Sequence, residues 1–598
     1  MIKFPYGLCD FYRIQTENYF YVDRTKHIRV IEEDFSDQLI FLRPRRFGKS
    51  LLLSMLENYY DIAKASEFEQ LFGHLAIGPN PTPKHNQYFV MTWDFSKIEA
   101  QGNVEQIRQT LIEHVNNCIK AFERRYQAYL PYPIEINCNN AISSFESLLM
   151  SVNATDNRLY LLIDEYDNFA NELMIGQHQE SPSRYETLLS GEGIVKTLFK
   201  AVKSGAGGRG LERVFITGVS PVVLSDLSSG YNVAESIDLR REFNDLCGFL
   251  ESEMVSTLTQ IANACDFSDE NVQQALFLMR TFYNGYRFSQ DVKESIYNPT
   301  LALYFLKGWQ QDCRFPSQLL DHNLGMDRSK LTYISRLPYG ESVIVQALNE
   351  EPPLTLEQLA SGFGVADMLY APQDVTFMIS LLYFLGILTL AGANDDGELL
   401  FKIPNLVIRK LYAEQLKECL LPDLTEQNQS RFLAKQFYKT GNLQPLCDFM
   451  EQRYFKAFDN RDYPQTNELT IKTVFLTLLF NDTFYIMDSE TELERRYADL
   501  TMIVRPERRK STLHNFLLEF KYLNLSKIGL TGKKAREMSC EEIKALSVVQ
   551  QKFTEGKAQL FDYEKRLKNK YTKTLPFQTI IVVALGLERV VWERVIDI

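Results

Sequence analysis

The sequence has few of the residues from which stapled folds are built. Its nine cysteines (Cys9, Cys118, Cys138, Cys247, Cys265, Cys313, Cys419, Cys447 and Cys540) are an odd number, are scattered, and never fall at CxxC spacing, and its seven histidines are equally dispersed. A structural zinc site is therefore not expected. Long apolar runs are also missing. The most apolar stretch, 379–393, contains Tyr383 and Gly386 and runs into Asn394-Asp395-Asp396-Gly397, too short to span a bilayer. The opening MIKFPYGLCDFY has no basic segment followed by an apolar one, so no signal peptide is expected. The chain reads as soluble, reduced and cytoplasmic, with no membrane partner. Positive charge is in deficit, 65 Lys and Arg against 77 Asp and Glu, a net −12. That excludes a basic nucleic-acid coat but leaves room for a local basic groove. No internal repeat or low-complexity tract occurs.

What is present is ordinary globular composition, 45% hydrophobic and 24% charged, which excludes collagen-like, disordered and coiled-coil chains. At roughly 150 residues per domain, the 598 residues suggest about four domains. The first 220 residues alternate short apolar runs with helical patterns, the mark of a parallel sheet layered with helices. Leu39-Ile40-Phe41-Leu42, Leu159–Ile163 and Val214-Phe215-Ile216 read as strands, and Leu52, Met55, Leu56 and Tyr59 recur at helical spacing. From about 250 to 340 the pattern is helical. Near 340–425, Thr355 and Gln358 read as a capping-box pair before a short helix. A very apolar helix is expected over roughly 374–385, then β-prone runs 387–391 and 398–403 about the turn 394–397. That order suggests a winged helix. The last unit reads αβββαβ: a helix from Glu468, strands at 483–487, 498–504 and 515–520, a helical segment at 541–568 opened by Ser539 and Glu542, and a strand at 578–585.

The sharpest N-terminal signal is Arg43-Pro44-Arg45-Arg46-Phe47-Gly48-Lys49-Ser50, set between a strand and a helix. Backbone N–H groups of such a loop, with the helix N-terminus, bind phosphate oxygens. Lys49 would neutralise them and Ser50 would sit on Mg²⁺. The consensus begins with Gly, and Arg43 stands there. The second half of the site is Leu161-Leu162-Ile163-Asp164-Glu165, with two carboxylates at the C-terminal end of an apolar strand, where ligands bind in open α/β sheets. Asp164 would hold the magnesium through water, Glu165 would polarise the attacking water, and Thr217 would act as a polar sensor near the γ-phosphate. The blander reading is a strand that merely ends in two acids, beside solvated arginines.

In the last unit, Asp499 lies in the strand 498–504, and Glu519-Phe520-Lys521 ends the next one. Residues 519 and 521 share a strand face, so Glu519 and Lys521 can address one site beside Asp499. Phosphodiester hydrolysis uses such a set: carboxylates holding Mg²⁺ or Mn²⁺ and an amine positioning water. Glu468 would complete the metal shell. Gln559 and Tyr563 are four apart on the following helix, hence on one face. Arg505, Arg508, Arg509, Lys510, Lys527, Lys533, Lys534 and Arg536 add a local basic excess suited to phosphate backbones. The competing reading pairs Asp499 with Arg495 or Arg496, and Lys521 with Glu519, as surface ion pairs.

RPRRFGKSLLLSML, LLIDEYD, TGVSPV and NGYRF…YNP together resemble the bacterial AAA-ATPase-like proteins that carry a C-terminal PD-(D/E)xK nuclease domain. The opening YGLCDFYRIQTENYFYVDRTKHI, the run Leu382–Gly386 and Ile403-Pro404-Asn405 resemble them too, so the likeness covers nearly the whole chain. Arg43 in the Gly position matches that family, and Gln559 with Tyr563 matches the QxxxY element of its RecB-like relatives. Relatives usually carry Gly just before the Arg-x-Asp stretch, where this sequence reads Glu494-Arg495-Arg496-Tyr497-Ala498-Asp499; the bulkier residues would narrow the approach to metal or substrate without removing a ligand. From the resemblance and the order of elements along the chain, the expected domains are a P-loop ATPase domain at 1–250, a helical lid at 251–340, a winged-helix-like domain at 341–425 and a nuclease-like domain at 426–598. The resemblance implies nucleotide binding at Lys49, Ser50 and Asp164, and the loop and strand ends add Arg45, Arg46, Phe47, Gly48 and Thr217 as expected ATP contacts. The expected activity is a Mg²⁺-dependent nuclease on nucleic acid, DNA before RNA, gated by ATP and suited to defence against mobile elements. The rival expectation is a nucleotide-dependent switch whose nuclease fold is inactive or only binds DNA. Oligomeric state and an arginine finger (Arg240, Arg241 or Arg287) are open at this level.

Overall fold

The computed structural model describes the chain except residues 34, 99–102, 169–192, 222–232, 317, 320–330, 333–334, 336–339, 350–352, 361–362, 364–373, 456–467, 489–490, 494–495, 510, 571–575 and 596–598. It divides into two compact units. One holds residues 1–314, 336–340 and 354–405, and the other holds 315–335, 341–353 and 406–598.

The first unit is built on five parallel strands. In chain order these are β1 (Gln38–Leu42), β2 (Tyr88–Asp94), β3 (Arg158–Asp164), β4 (Leu211–Gly218) and the short β5 (Glu235–Ser236). Their order across the sheet is β2-β3-β4-β1-β5. The middles of the central strands, Leu39–Leu42, Leu159–Ile163 and Val214–Ile216, are apolar and buried, as expected of a parallel sheet covered on both faces. Around them lie α1 (Lys49–Tyr60), α2 (Val104–Tyr126), α3 (Ala141–Asn153) and α4 (Ile194–Ala206). The helical stretch expected after 250 is α5 (Glu251–Cys265), α6 (Asp269–Tyr283) and α7 (Pro299–Asp312). Cys265 at the end of α5 and Cys313 just past α7 are joined as a disulfide. A fully reduced chain was the wrong expectation there: 48 residues separate the two cysteines, and only the packing of the helices brings their ends together.

Thr355 lies inside the strand β6 (Leu354–Leu356), not at a helix cap, so the capping-box reading fails. β6 pairs with β8 (Leu399–Lys402), which pairs with β7 (Thr389–Ala393). The apolar helix before the hairpin is α8 (Val375–Phe384). The short helix expected after Gln358 falls largely outside the described residues.

The second unit contains α9 (Leu406–Leu420), α10 (Leu424–Thr440) and α11 (Glu468–Leu479), then β9 (Tyr485–Asp488), the small hairpin β10 (Thr491–Leu493) and β11 (Arg496–Ala498), β12 (Leu500–Val504), β13 (Asn515–Leu523), α12 (Ser547–Lys570), β14 (Phe577–Leu585) and β15 (Arg589–Val595). The sheet order is β15-β14-β13-β12-β9, parallel only between β13 and β14. β13 alternates cleanly. Its even residues meet the helices before it, with Phe516 stacked on Phe437 of α10 at 4.3 Å and Phe520 on Phe475 of α11 at 5.0 Å. Its odd residues Leu517 and Leu523 share a core with Phe553, Leu560 and Tyr563 of α12. Glu519 and Lys521 sit in that odd row, so two charged residues occupy positions that neighbouring leucines fill with hydrocarbon. Among the described residues, no helix is long and apolar enough to cross a membrane.

Candidate nucleotide and nuclease sites

In the first unit β4 lies between β1 and β3, so the chain leaving β1 and the acids ending β3 come to the same sheet edge. Register aligns Phe41 with Thr217 and Ile163 with Ile216. Thr217 is fully buried and donates its hydroxyl to Asp164 Oδ1 at 2.6 Å, so it positions that carboxylate. The loop itself turns through two left-handed residues, Arg46 (φ 68°) and Gly48 (φ 92°). Glu165 adopts φ 48° as the chain leaves β3. Non-glycine residues in this region store strain of about 1–3 kcal/mol each, a cost met most often at ligand sites.

Lys49 is buried and donates to the carbonyls of Arg43 (2.9 Å) and Pro44 (3.1 Å). Burial lowers its pKa, opposed by Glu165, Asp164 and Asp167. Burial in turn raises the Glu165 carboxyl, with Lys49 opposing. The Asp167 carboxylate accepts from the Val219 and Ser220 backbone N–H groups and from the Ser220 hydroxyl. Arg45 donates to Asn168 Oδ1 at 2.7 Å. Phe47 is buried edge-on against Tyr286 and Phe288, so only its backbone is offered to a ligand. Ser50 and Lys49 line a cavity of about 290 Å³ that continues past Tyr6, Leu8, Cys9, Tyr21 and Leu246.

Arg43 does not point into that cavity. Its guanidinium is 1% exposed and donates to the carbonyls of Leu42, Asp238 and Phe243, each at 2.8 Å. It also lies over the rings of Phe41 and Phe288. The residue in the consensus Gly position is thus a structural cation beneath the loop.

In the second unit the ladder between β12 and β13 ends where Leu500 faces Leu518. Asp499 sits in the break between β11 and β12 rather than inside a strand. Its Oδ2 accepts the Phe520 N–H at 2.8 Å, taking the place of the strand that has ended. That bond holds Asp499 beside the two residues flanking Phe520. Lys521 Nζ lies 2.8 Å from Glu519 Oε1 and 3.4 Å from Glu468 Oε1. Glu519 is 2% exposed and, among the described residues, its Oε2 has no hydrogen-bond partner. Burial and the neighbouring Asp499 push its carboxyl up to about 8. Burial works against the Lys521 ammonium, yet Glu519, Glu468 and Asp499 together raise its pKa. Burial also raises the Glu468 carboxyl, with Lys521 and Lys552 opposing.

Residues 5–228 match the family described as Predicted AAA-ATPase, and residues 466–594 match the PD-(D/E)XK nuclease superfamily. The chain joins an AAA-ATPase-like domain to a PD-(D/E)XK nuclease superfamily domain. An uncharacterised protein from the 5′ region of vnfD in Azotobacter chroococcum mcd 1 is 24% identical over 550 residues, covering 88% of this chain and 90% of that one. The Walker-type ATPase PABY2304 of Pyrococcus abyssi aligns at 13% identity with a TM-score of 0.37, covering 65% of this chain and 94% of its own. The ORC2 protein of Aeropyrum pernix in its ADPNP–ADP complexes aligns at 12% identity with a TM-score of 0.32, covering 68% and 98%.

Within the nuclease domain, Tyr563 belongs to the apolar core under β13, while Gln559, one turn earlier, is exposed. The basic residues divide between the two ends of the sheet. Arg505, Arg508 and Arg509 follow the end of β12 remote from Asp499, whereas Lys527, Lys533, Lys534 and Arg536 follow β13 on the side of Lys521. Arg505 is buried, donating to the carbonyls of Asp482 and Pro316 and pairing with Glu507. It therefore drops out of any basic surface, and Arg536 is paired with Glu588 at 2.6 Å. Glu494, Arg495 and Lys510 lie outside the described residues. In the ATPase-like domain, the contribution of Tyr6, Leu8 and Cys9 to the cavity was not anticipated. The one available signal was the opening segment's unusual density of aromatic residues ahead of the first strand.

Proposed function

We propose that the chain is a nucleotide-binding, divalent-metal-dependent nuclease that hydrolyses phosphodiester bonds in nucleic acid, DNA before RNA, with ATP at the N-terminal loop setting its activity. The observation that carries this reading is the buried Glu519, one carboxylate oxygen on Lys521 and the other without a partner among the described residues, with Asp499 alongside. A buried acid in that state is costly unless a cation meets it, and its raised pKa is typical of a functional site. The free oxygen and the hard carboxylate donors fit Mg²⁺ or Mn²⁺. Among the described residues no three acidic, thiol or imidazole groups gather as a metal cage. Mg²⁺ usually keeps several waters and takes one or two carboxylates plus substrate oxygens. Asp499 and Glu519 would hold the ion, and when bound it would stabilise charge developing on the phosphoryl oxygens.

The chain's own groups do the rest. Asp499, fixed by the Phe520 N–H, keeps its carboxylate at the end of β12. Lys521, raised in pKa by its acidic neighbours, remains an ammonium at neutral pH and serves to orient water and balance phosphate charge. Glu468, half-exposed at the start of α11, reaches the same ammonium. In the N-terminal domain, Lys49 would exchange its carbonyl partners for β- and γ-phosphate oxygens, while Ser50 and Asp164 would hold the accompanying magnesium and Glu165 the attacking water.

The test is incubation of the full chain with linear duplex and single-stranded DNA plus Mg²⁺ or Mn²⁺, with and without ATP. Cleavage should appear and should vanish in Lys521→Ala and Asp499→Asn. Intact DNA under every condition, from a protein that binds ATP normally, removes the nuclease and leaves only the nucleotide site.

A further inference from the structure

The unit that carries the nuclease-like domain contains a polar cavity of about 180 Å³, remote from Glu519. It lies among α9, α10, the end of α11 and the turn before β9. Val504 pairs with Tyr485 there, and its N–H bonds the Asn515 side chain. Along β13 from Asn515 to Lys521 the chain covers about 20 Å at the usual strand rise of about 3.3 Å per residue. The cavity and the acidic centre therefore occupy opposite ends of one sheet.

Four cations line this cavity: Lys410, Lys417, Arg431 and Lys435. Only Lys410 is neutralised, by Asp482 at 3.0 Å with Glu414 further off at 3.9 Å. Among the described residues Lys417, Arg431 and Lys435 make no hydrogen bond or ion pair. Burial, helped by the nearby Arg431, lowers the Lys417 pKa to about 8, which is the behaviour of an ammonium lacking its anion. Asn481 and Thr483 supply amide and hydroxyl groups at the rim. On α10 Arg431 and Lys435 are one turn apart and so share a face. Phe432, 60% exposed, follows Arg431 on the neighbouring face of α10, just outside the lining of the cavity, with Leu424 two turns earlier at 73%. An aromatic ring left in water beside unpaired cations is the combination that binds nucleic-acid strands, phosphates on the cations and a base on the ring.

The geometry points to this cavity as a second nucleic-acid contact: Lys417, Arg431 and Lys435 receive backbone phosphates and Phe432 stacks a base, anchoring a single strand at the end of the sheet opposite the acidic centre. This rests on the nuclease reading for its choice of ligand but does not require cutting.

The experiment uses the full chain, with Ca²⁺ as the only divalent ion so that binding is read without cleavage, and a short fluorescein-labelled single-stranded oligonucleotide. Lys417→Met with Arg431→Ala should weaken binding at least about tenfold and make the log-affinity against log-salt slope shallower by about 1.4, at about 0.7 per phosphate contact on single strands. Phe432→Ala, at an exposed position where folding is not at issue, should weaken binding about tenfold with the slope unchanged. The oligonucleotide should also protect Lys417 from amine acylation in the parent protein. Parent-like affinity and slope in the variants overturn the proposal while leaving the nuclease reading intact. Protection of Lys417 by inorganic phosphate but not by the oligonucleotide overturns it in favour of a small phosphate ligand. If the variants behave as expected but the parent cuts nothing with Mg²⁺ or Mn²⁺, the nuclease reading fails and this site stands.

Discussion

Arg43 shows how a departure from a motif can be a load of its own. A glycine normally opens the phosphate loop because the backbone must turn closely there, yet Arg43 keeps ordinary backbone geometry and turns its guanidinium inward. Three carbonyls and two aromatic faces receive it. Replacing it by the consensus residue, Arg43→Gly, would strand those carbonyls and leave a cavity. Hydrogen bonds to a charged group contribute about 1.5–3 kcal/mol each, with incomplete additivity, so a loss of about 3–5 kcal/mol is expected. A lowered denaturation midpoint reports it; an unchanged midpoint would show the guanidinium to be dispensable. At Glu519 the sign runs with pH. Its raised pKa means the metal-free fold favours the neutral acid, a stabilisation fully present below the ordinary 4.5 and lost as pH rises through about 8. A divalent cation must displace that proton. Mn²⁺ affinity should therefore climb from pH 6 to 9 with proton release, measurable by calorimetry in buffers of different ionisation enthalpy. A pH-independent affinity without proton release would place the ion elsewhere.

The elements around the phosphate loop come from distant parts of the chain. Phe47 is wedged against Tyr286 and Phe288 of the segment NGYRF. Thr300 donates to the Arg46 carbonyl at 3.0 Å, and Asn405 donates to the Asn284 carbonyl at 2.9 Å. A Cβ on Gly386 would lie 2.6 Å from the Pro44 ring. The motifs at 284–288, 297–299, 382–386 and 403–405 thus form one buttress behind the loop. Gly386→Ala should displace Pro44 and weaken ATP binding about tenfold or more. Gly397→Ala, equally left-handed at φ 85° but with open space around it, should cost about 1–2 kcal/mol of stability and leave ATP affinity unchanged. Equal ATP affinity in both variants would separate the hairpin from the loop. The loop, the acids of β3 and the Asp499, Glu519 and Lys521 set were legible because each lies where an apolar run stops, and a charge ending a buried strand has few structural excuses. The buttress was not, since its motifs carry no ionisable chemistry and meet only by folding. β15 was missed because its run Arg589–Val595 alternates with charge at a sheet edge and resembles a solvated tail. The odd-row core of α12 likewise could not be read from the spacing of Gln559 and Tyr563, which put both on one face without saying which edge of that face is wet.

At the scale of the whole molecule, the two candidate sites belong to separate compact units: among the described residues the first cavity is lined by residues between 5 and 303, and the acidic centre is made by Glu468, Asp499, Glu519 and Lys521. Control of one by the other is then a coupling free energy between distinct sites, and such coupling is reciprocal. If ATP strengthens nucleic-acid binding by some factor, nucleic acid must strengthen ATP binding by the same factor, and typical couplings of about 1–3 kcal/mol correspond to about 5- to 150-fold. Asp499→Asn removes the cutting step, so both equilibria can be measured with Mg²⁺ present. Titration of a fluorescent ATP analogue with and without saturating oligonucleotide should give a ratio of dissociation constants above about five. Titration of the oligonucleotide with and without saturating ATP should return the same ratio. Lys49→Ala should remove the ATP dependence of oligonucleotide binding without altering affinity in the absence of nucleotide. Two ratios of one would mean that ATP does not act through nucleic-acid affinity, and control of cleavage by ATP would then have to lie in the rate of the cutting step alone.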